Sequence, residues 1–432
     1  MKPIPVIAVF DVGKTNKKLL LFDEGYQVVF ERAARFTELE DEDGYPCENL
    51  HSLERSVFDV LKEVAALDQF ALKALNFAAY GASLVYIDEG GKPLTPLYNY
   101  LKPYPEALEK EFYDSYGGKE NFSLQTASPA LGSLNSGLQL YRIKKQQRAL
   151  FAAIEHALHL PQYLSFLISG KRVSDLTSIG CHTALWDFAR GDYHAWVYKE
   201  GIGKKLAPVC SCDSITENDG IKTGIGLHDS SAALIPYLQS FTEPFILLST
   251  GTWSISLNPF NQSVLTAQEL ENDCLNYIQY NGKPVKASRL FLGQLYDDGL
   301  KQLAHRFDGD PYTYRNILFD PQIAKQLGEN TDEANDTDLL AYYRLIHNLV
   351  VQQKKSTDLV LNGAPVKQLF VDGGFSRNDV FMRLLGLAYP HLKVYAASVP
   401  QSTALGAALV IHSQWNPKPL PGDLISLKLY SA

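Results

Sequence analysis

Apolar runs separated by short polar turns open the chain. Val6-Ile7-Ala8-Val9-Phe10 is apolar and β-branched, Asp11-Val12-Gly13-Lys14-Thr15-Asn16 is polar and turn-rich, and Lys18-Leu19-Leu20-Leu21-Phe22 is apolar again. A turn at Asp23-Glu24-Gly25 leads into Val28-Val29-Phe30, so the pattern predicts three strands joined by tight turns. Leu53, Val57, Val60, Leu61 and Val64 share one helical face and predict a helix over 53–67. A strand over 74–79 and a helix over 138–154 follow. The opening pattern then returns. Pro244-Phe245-Ile246-Leu247-Leu248 is apolar, Ser249-Thr250-Gly251-Thr252 is a small polar turn, and Trp253-Ser254-Ile255-Ser256-Leu257 alternates like a strand. This points to an architectural duplication with its boundary within 236–244, hence units of 1–238 and 239–432. The stretch 308–335, rich in Asp, Asn, Pro and Gly, reads as a loop-rich insert.

A length of 432 residues fits two or three domains, and a 46% hydrophobic, 20% charged composition is that of a globular chain rather than a disordered one. No apolar run approaches the ~18 residues that span a bilayer, so no membrane association is expected. Pro3, Pro5 and Asp11 interrupt what would otherwise resemble a signal peptide. With 40 Lys+Arg against 48 Asp+Glu the net charge is −8, a poor basis for binding nucleic acid. The densest basic stretch, Arg142 to Arg148, reads as a solvated helix face. The 5 cysteines are scattered, without a pairing framework or zinc spacing, as expected of the reducing cytoplasm.

Four segments carry candidate chemistry. In the first turn Gly13 allows close approach of a phosphate, Thr15 offers a hydroxyl and Lys14 or Lys18 a cation, while Asp11 could hold Mg²⁺ through water. Taken alone, the segment reads first as a polar hairpin turn, with Asp and Gly in their usual turn roles. It is not a Walker loop, because Ala8 stands where that pattern needs glycine and a strand rather than a helix follows. The second turn, at Gly251 and Thr252, offers hydroxyls and backbone donors suited to a γ-phosphate. The third, Val371-Asp372-Gly373-Gly374-Phe375-Ser376-Arg377-Asn378, runs from a strand through paired glycines into a helix, a place for a nucleotide with Asn378 toward its base or ribose. The fourth is His228-Asp229 ahead of a helix from Ser230. By spacing Asp229 is an N-cap; chemically it could also be a general base, with His228 as a sugar partner.

Together, in this order and at these separations, the four segments resemble the FGGY family of carbohydrate kinases, and within it the L-rhamnulose and L-fuculose kinase branch. Ala79-Tyr80-Gly81-Ala82-Ser83, the segment from Leu160 to Lys171, and Ser402-Thr403-Ala404-Leu405-Gly406-Ala407-Ala408 add to the likeness. The resemblance implies a two-domain α/β fold, actin-like and hexokinase-like (ribonuclease H-like), around a central cleft. It implies an ATP- and Mg²⁺-dependent kinase for a small sugar. Asp229 would be the catalytic base and Asp11 the magnesium residue. Gly13, Thr15, Lys18, Gly251, Thr252, Gly373, Gly374 and Asn378 would hold the nucleotide, and Gly81, Ser83, Tyr98, Asn99 and His228 the sugar. Relatives of the rhamnulose type carry an acidic residue at Ser83 and an Arg-Asp pair at Asn99 and Tyr100, so the sugar is left open, as is a homodimer. The reading from another class is a nucleotide-binding regulator on the same fold.

Overall fold

The structure is a computed structural model that describes residues 2–14, 16–329, 333–361, 363–399 and 401–430. Its frame is a pair of seven-stranded sheets. The first contains β1 (Ile4–Val12), β2 (Lys17–Asp23), β3 (Val28–Ala34), β4 (Phe70–Ala79), β5 (Ile215–Asn218), β6 (Ile221–Gly224) and β7 (Leu227–His228). Their order is β5-β6-β4-β1-β2-β3, with β7 also paired to β4. The second contains β8 (Phe245–Thr250), β9 (Ser254–Asn258), β10 (Cys274–Ile278), β11 (Pro284–Leu290), β12 (Gln368–Gly373), β13 (Lys393–Ser398) and β14 (Ser426–Leu429), in the order β10-β11-β9-β8-β12-β13-β14. In each sheet an antiparallel hairpin, β1–β2 or β8–β9, lies beside a parallel strand, β4 or β12. The duplication visible in the hydrophobic pattern is therefore a duplication of sheet topology. The result is the two-domain, actin-like and hexokinase-like arrangement of ribonuclease H-like units.

β1 is central, and Val6 to Val9 are fully buried, as a continuous apolar run in a covered strand requires. Its first carboxylate, Asp11, comes where the strand emerges, one residue before its end. Helix α1 (Leu50–Ala65) starts on Asn49, whose side chain accepts from the Ser52 amide, and buries Leu53, Val57 and Val64 along the expected stripe. The helix expected over 138–154 is two, Ser136–Gln146 and Arg148–Ala153, because Gln147 leaves helical geometry at φ −129°. The basic face there is only partly solvated: Arg142 pairs with Asp43 at 3.0 Å, and Lys144 with Glu200. The insert at 308–335 is more helical than its composition implied, with a 3-10 turn over Pro311–Asn316 and a helix over Pro321–Glu329. Proline at a first helical position starts a helix rather than breaking it, and the Asp310 side chain caps the first turn.

Two helices join the sheets: α2 (Asp229–Ser240) and α5 (Ser402–Leu409). Between them in the chain lie α3 (Asp338–Leu361) and α4 (Asp379–Ala388), which cover the second sheet. One apolar core unites residues of both sheets, such as Val9 and Leu247, with Ile235 of α2 and Ala404 of α5. The helices cross at Gly406, where a Cβ would lie 1.8 Å from the Ala232 carbonyl oxygen. Asn76 of β4 donates across the same junction to the Ala407 carbonyl at 2.8 Å. Among the described residues no helix is long and apolar enough to cross a membrane.

Candidate active site

Asp229 is the first residue of α2, with His228 in the cap position; the N-cap expected at Asp229 is therefore one residue earlier. This frees the Asp229 carboxylate to face a cleft of about 700 Å³. Its Oδ1 accepts from the Ser230 amide at 2.6 Å and lies 3.1 Å from His228 Nε2. His228 is buried and bracketed by the Cys181 thiol at 3.0 Å and the Ser231 hydroxyl at 3.3 Å, and burial lowers its pKa. Gly81 is required beside it, since a Cβ there would meet Cys181 Sγ at 2.6 Å and His228 Cδ2 at 3.1 Å.

Asp11 approaches from the end of β1. Burial, and then the charge of Asp229, raise its pKa to about 7, against the opposing pull of Lys18. Asp11 therefore lies within electrostatic reach of a second carboxylate, Asp229. That is a donor set suited to a hard divalent cation, which usually binds one or two carboxylates and completes its shell with phosphate oxygens and water. Mg²⁺ fits these residues. Lys18 also bridges the lobes, bonded to Glu31 at 3.0 Å and to Gln401 Oε1 at 3.4 Å. Gly13 closes its turn by donating to the Asn16 carbonyl at 2.9 Å, and Lys14 is turned aside to Glu38 at 2.8 Å. Thr15 lies outside the described residues.

A second cavity, about 1,100 Å³, is lined by Gly251, Thr252, Gly374 and Asn378, which the sequence had singled out, with Tyr296 and Arg377. Gly373 sits behind it at φ +91°, where a Cβ would fall 1.9 Å from the Thr250 carbonyl oxygen. Thr250 Oγ1 in turn donates to the Asp372 carbonyl and accepts from the Phe375 amide, tying the two glycine turns together. Asn378 caps α4 by accepting from Phe381 and donates to the Tyr342 hydroxyl at 2.9 Å. Gly293, which sequence reasoning passed over, lets a helix N-terminus approach the turn, its amide donating to the Thr252 carbonyl at 3.0 Å. Thr252 faces this cavity and Trp253 the other, so the turn divides them.

Three expected sugar residues are placed elsewhere. Ser83 is buried at 1% exposure behind the cleft wall, because Ala82 at φ +66° turns the chain inward. Tyr98 and Asn99 line a separate cavity of about 370 Å³. The Tyr98 hydroxyl donates to Glu42 at 2.6 Å, and Asn99 is held by the Pro46 carbonyl and the Leu101 amide. Tyr100 reaches the cleft instead. The cleft also takes Tyr80 and His182 from the first lobe and Trp253, Tyr277 and Arg289 from the second; of these only Tyr80 falls in a segment that carried the resemblance.

Burial holds His159 and His182 near pKa 3, His228 adding to the effect at His159 and Arg289 at His182. Both stay neutral when folded but take up protons when unfolded, near the ordinary 6.5. Their stabilisation is thus complete above pH ~6.5 and declines as pH falls toward 3, by up to about 1.4 kcal/mol per pH unit for each histidine. The raised carboxyl of Asp11 acts in the opposite sense over this range, so the test is the difference: His159→Gln should lose less stability than the wild type in urea midpoints measured from pH 7 to 5, and identical slopes would contradict this burial.

Residues 6–217 match the N-terminal domain of the FGGY family of carbohydrate kinases and residues 242–419 match the carbohydrate kinase FGGY C-terminal domain. The chain is 24% identical over 293 residues to a rhamnulokinase of Bacteroides thetaiotaomicron, covering 63% of the chain and 58% of that relative. It is 22% identical over 262 residues to a rhamnulokinase of Halalkalibacterium halodurans, covering 57% and 54%. The chain thus spans a little over half the length of the curated relatives it matches. In fold it is similar to a carbohydrate kinase from Novosphingobium aromaticivorans, with a TM-score of 0.81, 23% identity and coverage of 98% and 96%. It is likewise similar to a xylulose kinase from Rhodospirillum rubrum, with a TM-score of 0.80, 14% identity and coverage of 99% and 94%. With both of its halves matched and the paired sheets built to the same plan, the chain belongs to the FGGY family of carbohydrate kinases.

Proposed function

We propose that the protein is an ATP-dependent sugar kinase that transfers the γ-phosphoryl group to a hydroxyl of a small ketose, such as L-rhamnulose, L-fuculose or a pentulose. The observation that carries this reading is the shared wall: the Asp229 carboxylate faces one cavity, the Gly251-Thr252 turn divides it from a second, and Asp11 stands close enough to Asp229 to feel its charge. Asp229 orients the acceptor hydroxyl and takes its proton as the oxygen–phosphorus bond forms and the bond to the β–γ bridging oxygen breaks, releasing ADP. His228 fixes the carboxylate through its Nε2 contact. Gly251, Thr252, Gly373, Gly374 and Asn378 cradle the nucleotide, with Gly13 and Lys18 on the opposite side. Asp11 would hold Mg²⁺, which when bound neutralises phosphate oxygens. The protein's contribution is mainly position and charge stabilisation, as in phosphoryl transfer generally.

ADP release from Mg-ATP should depend on an added acceptor in a panel of pentuloses, deoxyhexuloses, polyols and sugar acids. Turnover at or above about 1 s⁻¹ with a ketose is the expected result. Nucleotide binding with no acceptor-dependent turnover would favour a regulator on the same fold.

A further inference from the structure

Arg289 is a cation deep in the acceptor cleft, its side chain only 10% exposed. It is the residue of β11 paired with Ile255 of β9, so it enters from the second lobe, opposite Asp229. The guanidinium is gripped side-on by Asp273, Nε donating to Oδ2 at 3.1 Å and Nη2 to Oδ1 at 2.5 Å. It also lies over the Trp253 ring at 5.6 Å. Both contacts fix its plane. Its Nη1 makes no hydrogen bond to another described residue. A donor group held this firmly, at the wall of a cavity, is preorganised for a ligand oxygen.

On the facing wall the polar groups gather at His182, His228, Asp229 and Ser230; Ser83, Tyr98 and Asn99 point elsewhere, and the rest is Tyr80, Gly81, Ala82, Tyr100 and two leucines. The Tyr80 hydroxyl is itself turned to Glu48 at 3.4 Å. Charge narrows the ligand class further. Asp273 already balances Arg289, and Asp229 sets a further carboxylate in the cleft. A carboxylate-bearing acceptor would meet repulsion; an uncharged hydroxyl or carbonyl oxygen would not.

We propose that Arg289 is the residue by which the second lobe anchors the acceptor, donating from Nη1 to an uncharged oxygen of a ketose and so selecting neutral sugars over sugar acids. This rests on the kinase reading above. Because Asp229 and Arg289 lie on different lobes, the acceptor itself bridges them.

The test compares the full-length wild type with Arg289→Gln, Arg289→Lys and Asp273→Asn, using Mg-ATP, a ketose panel and the matching aldonates. Arg289→Gln should raise the acceptor KM about 10–100-fold while kcat and the KM for ATP change less than about 3-fold, as expected for loss of one charge-assisted hydrogen bond. Arg289→Lys should recover part of the loss. A deoxy acceptor lacking the contacted oxygen should give the same KM with wild type and Arg289→Gln. Asp273→Asn, which keeps the cation but unbalances it, should improve aldonates relative to ketoses, and it keeps the test readable where Arg289→Gln does not fold. An unchanged acceptor KM in Arg289→Gln, with a wild type that phosphorylates ketoses, would overturn the role of Arg289 and leave the kinase reading intact. A wild type that prefers aldonates would overturn the selection of neutral sugars. A wild type with no acceptor-dependent turnover would overturn both readings.

Discussion

Replacing Asp229 by asparagine is expected to lower kcat by about 10²–10⁴-fold, the usual contribution of a general base. Asparagine keeps the shape and can still accept from the Ser230 amide, now 2.6 Å from Oδ1, so the start of α2 should survive. What is lost is the capacity to take the acceptor's proton. The KM for ATP should stay within about 3-fold of wild type, because the nucleotide cavity is lined from the other side of the Gly251-Thr252 turn. The melting temperature should change by no more than a few degrees, since Asp229 is one-third exposed and contributes no buried ion pair that its loss would strand. Steady-state assays with saturating acceptor, run beside a thermal melt, separate the outcomes. A variant that turned over at wild-type speed would remove Asp229 from the chemistry and with it the main support for the proposed mechanism.

The parts of this molecule that were legible in the sequence share one physical property: the signal is local. Alternation and tight turns are properties of a few adjacent residues, and so β1–β2 and β8–β9 were visible, and their recurrence exposed the doubled topology. The glycine turns were visible for the same reason. That Asp229 does more than start a helix came from the combination of segments, not from its spacing; in the structure even the cap falls to His228. The acceptor wall was hidden because it is assembled from segments far apart in the chain. Arg289, Tyr277 and Trp253 meet only when β9, β10 and β11 pair across the second sheet. Tyr98 and Asn99 show the limit most clearly. They sit in an aperiodic loop, where nothing in the pattern says which way a side chain turns, and it is Tyr100 that faces the cleft. Gln147 likewise breaks a helix with neither glycine nor proline to announce it.

The crossing of α2 and α5 should be the least tolerant point in the fold, and Gly406→Val tests it. A Cβ at this position would stand 1.8 Å from the Ala232 carbonyl oxygen, and the atoms it meets are backbone, with no flexible side chain to yield. The helices must therefore part. Overpacking of a well-packed contact typically costs about 1–3 kcal/mol and occasionally more, and a backbone-to-backbone clash belongs at the upper end. The functional cost follows from the same geometry. Ala232 lies on α2 three residues past Asp229, and α5 begins beside Gln401, which Lys18 reaches across the lobes. Spreading the helices displaces the base relative to the phosphate turns, and a misplacement of about 1 Å can cost ~10²-fold in rate. Urea unfolding should show a lower midpoint at unchanged m-value, and kcat should fall by one to two orders of magnitude, roughly, without Asp229 being touched. Gly309→Ala, where a Cβ meets nothing within 4 Å, is the matched control and should leave both nearly unchanged. If Gly406→Val kept wild-type stability and rate, the two lobes would not be coupled through this crossing, and the shared core would be packing without mechanical consequence.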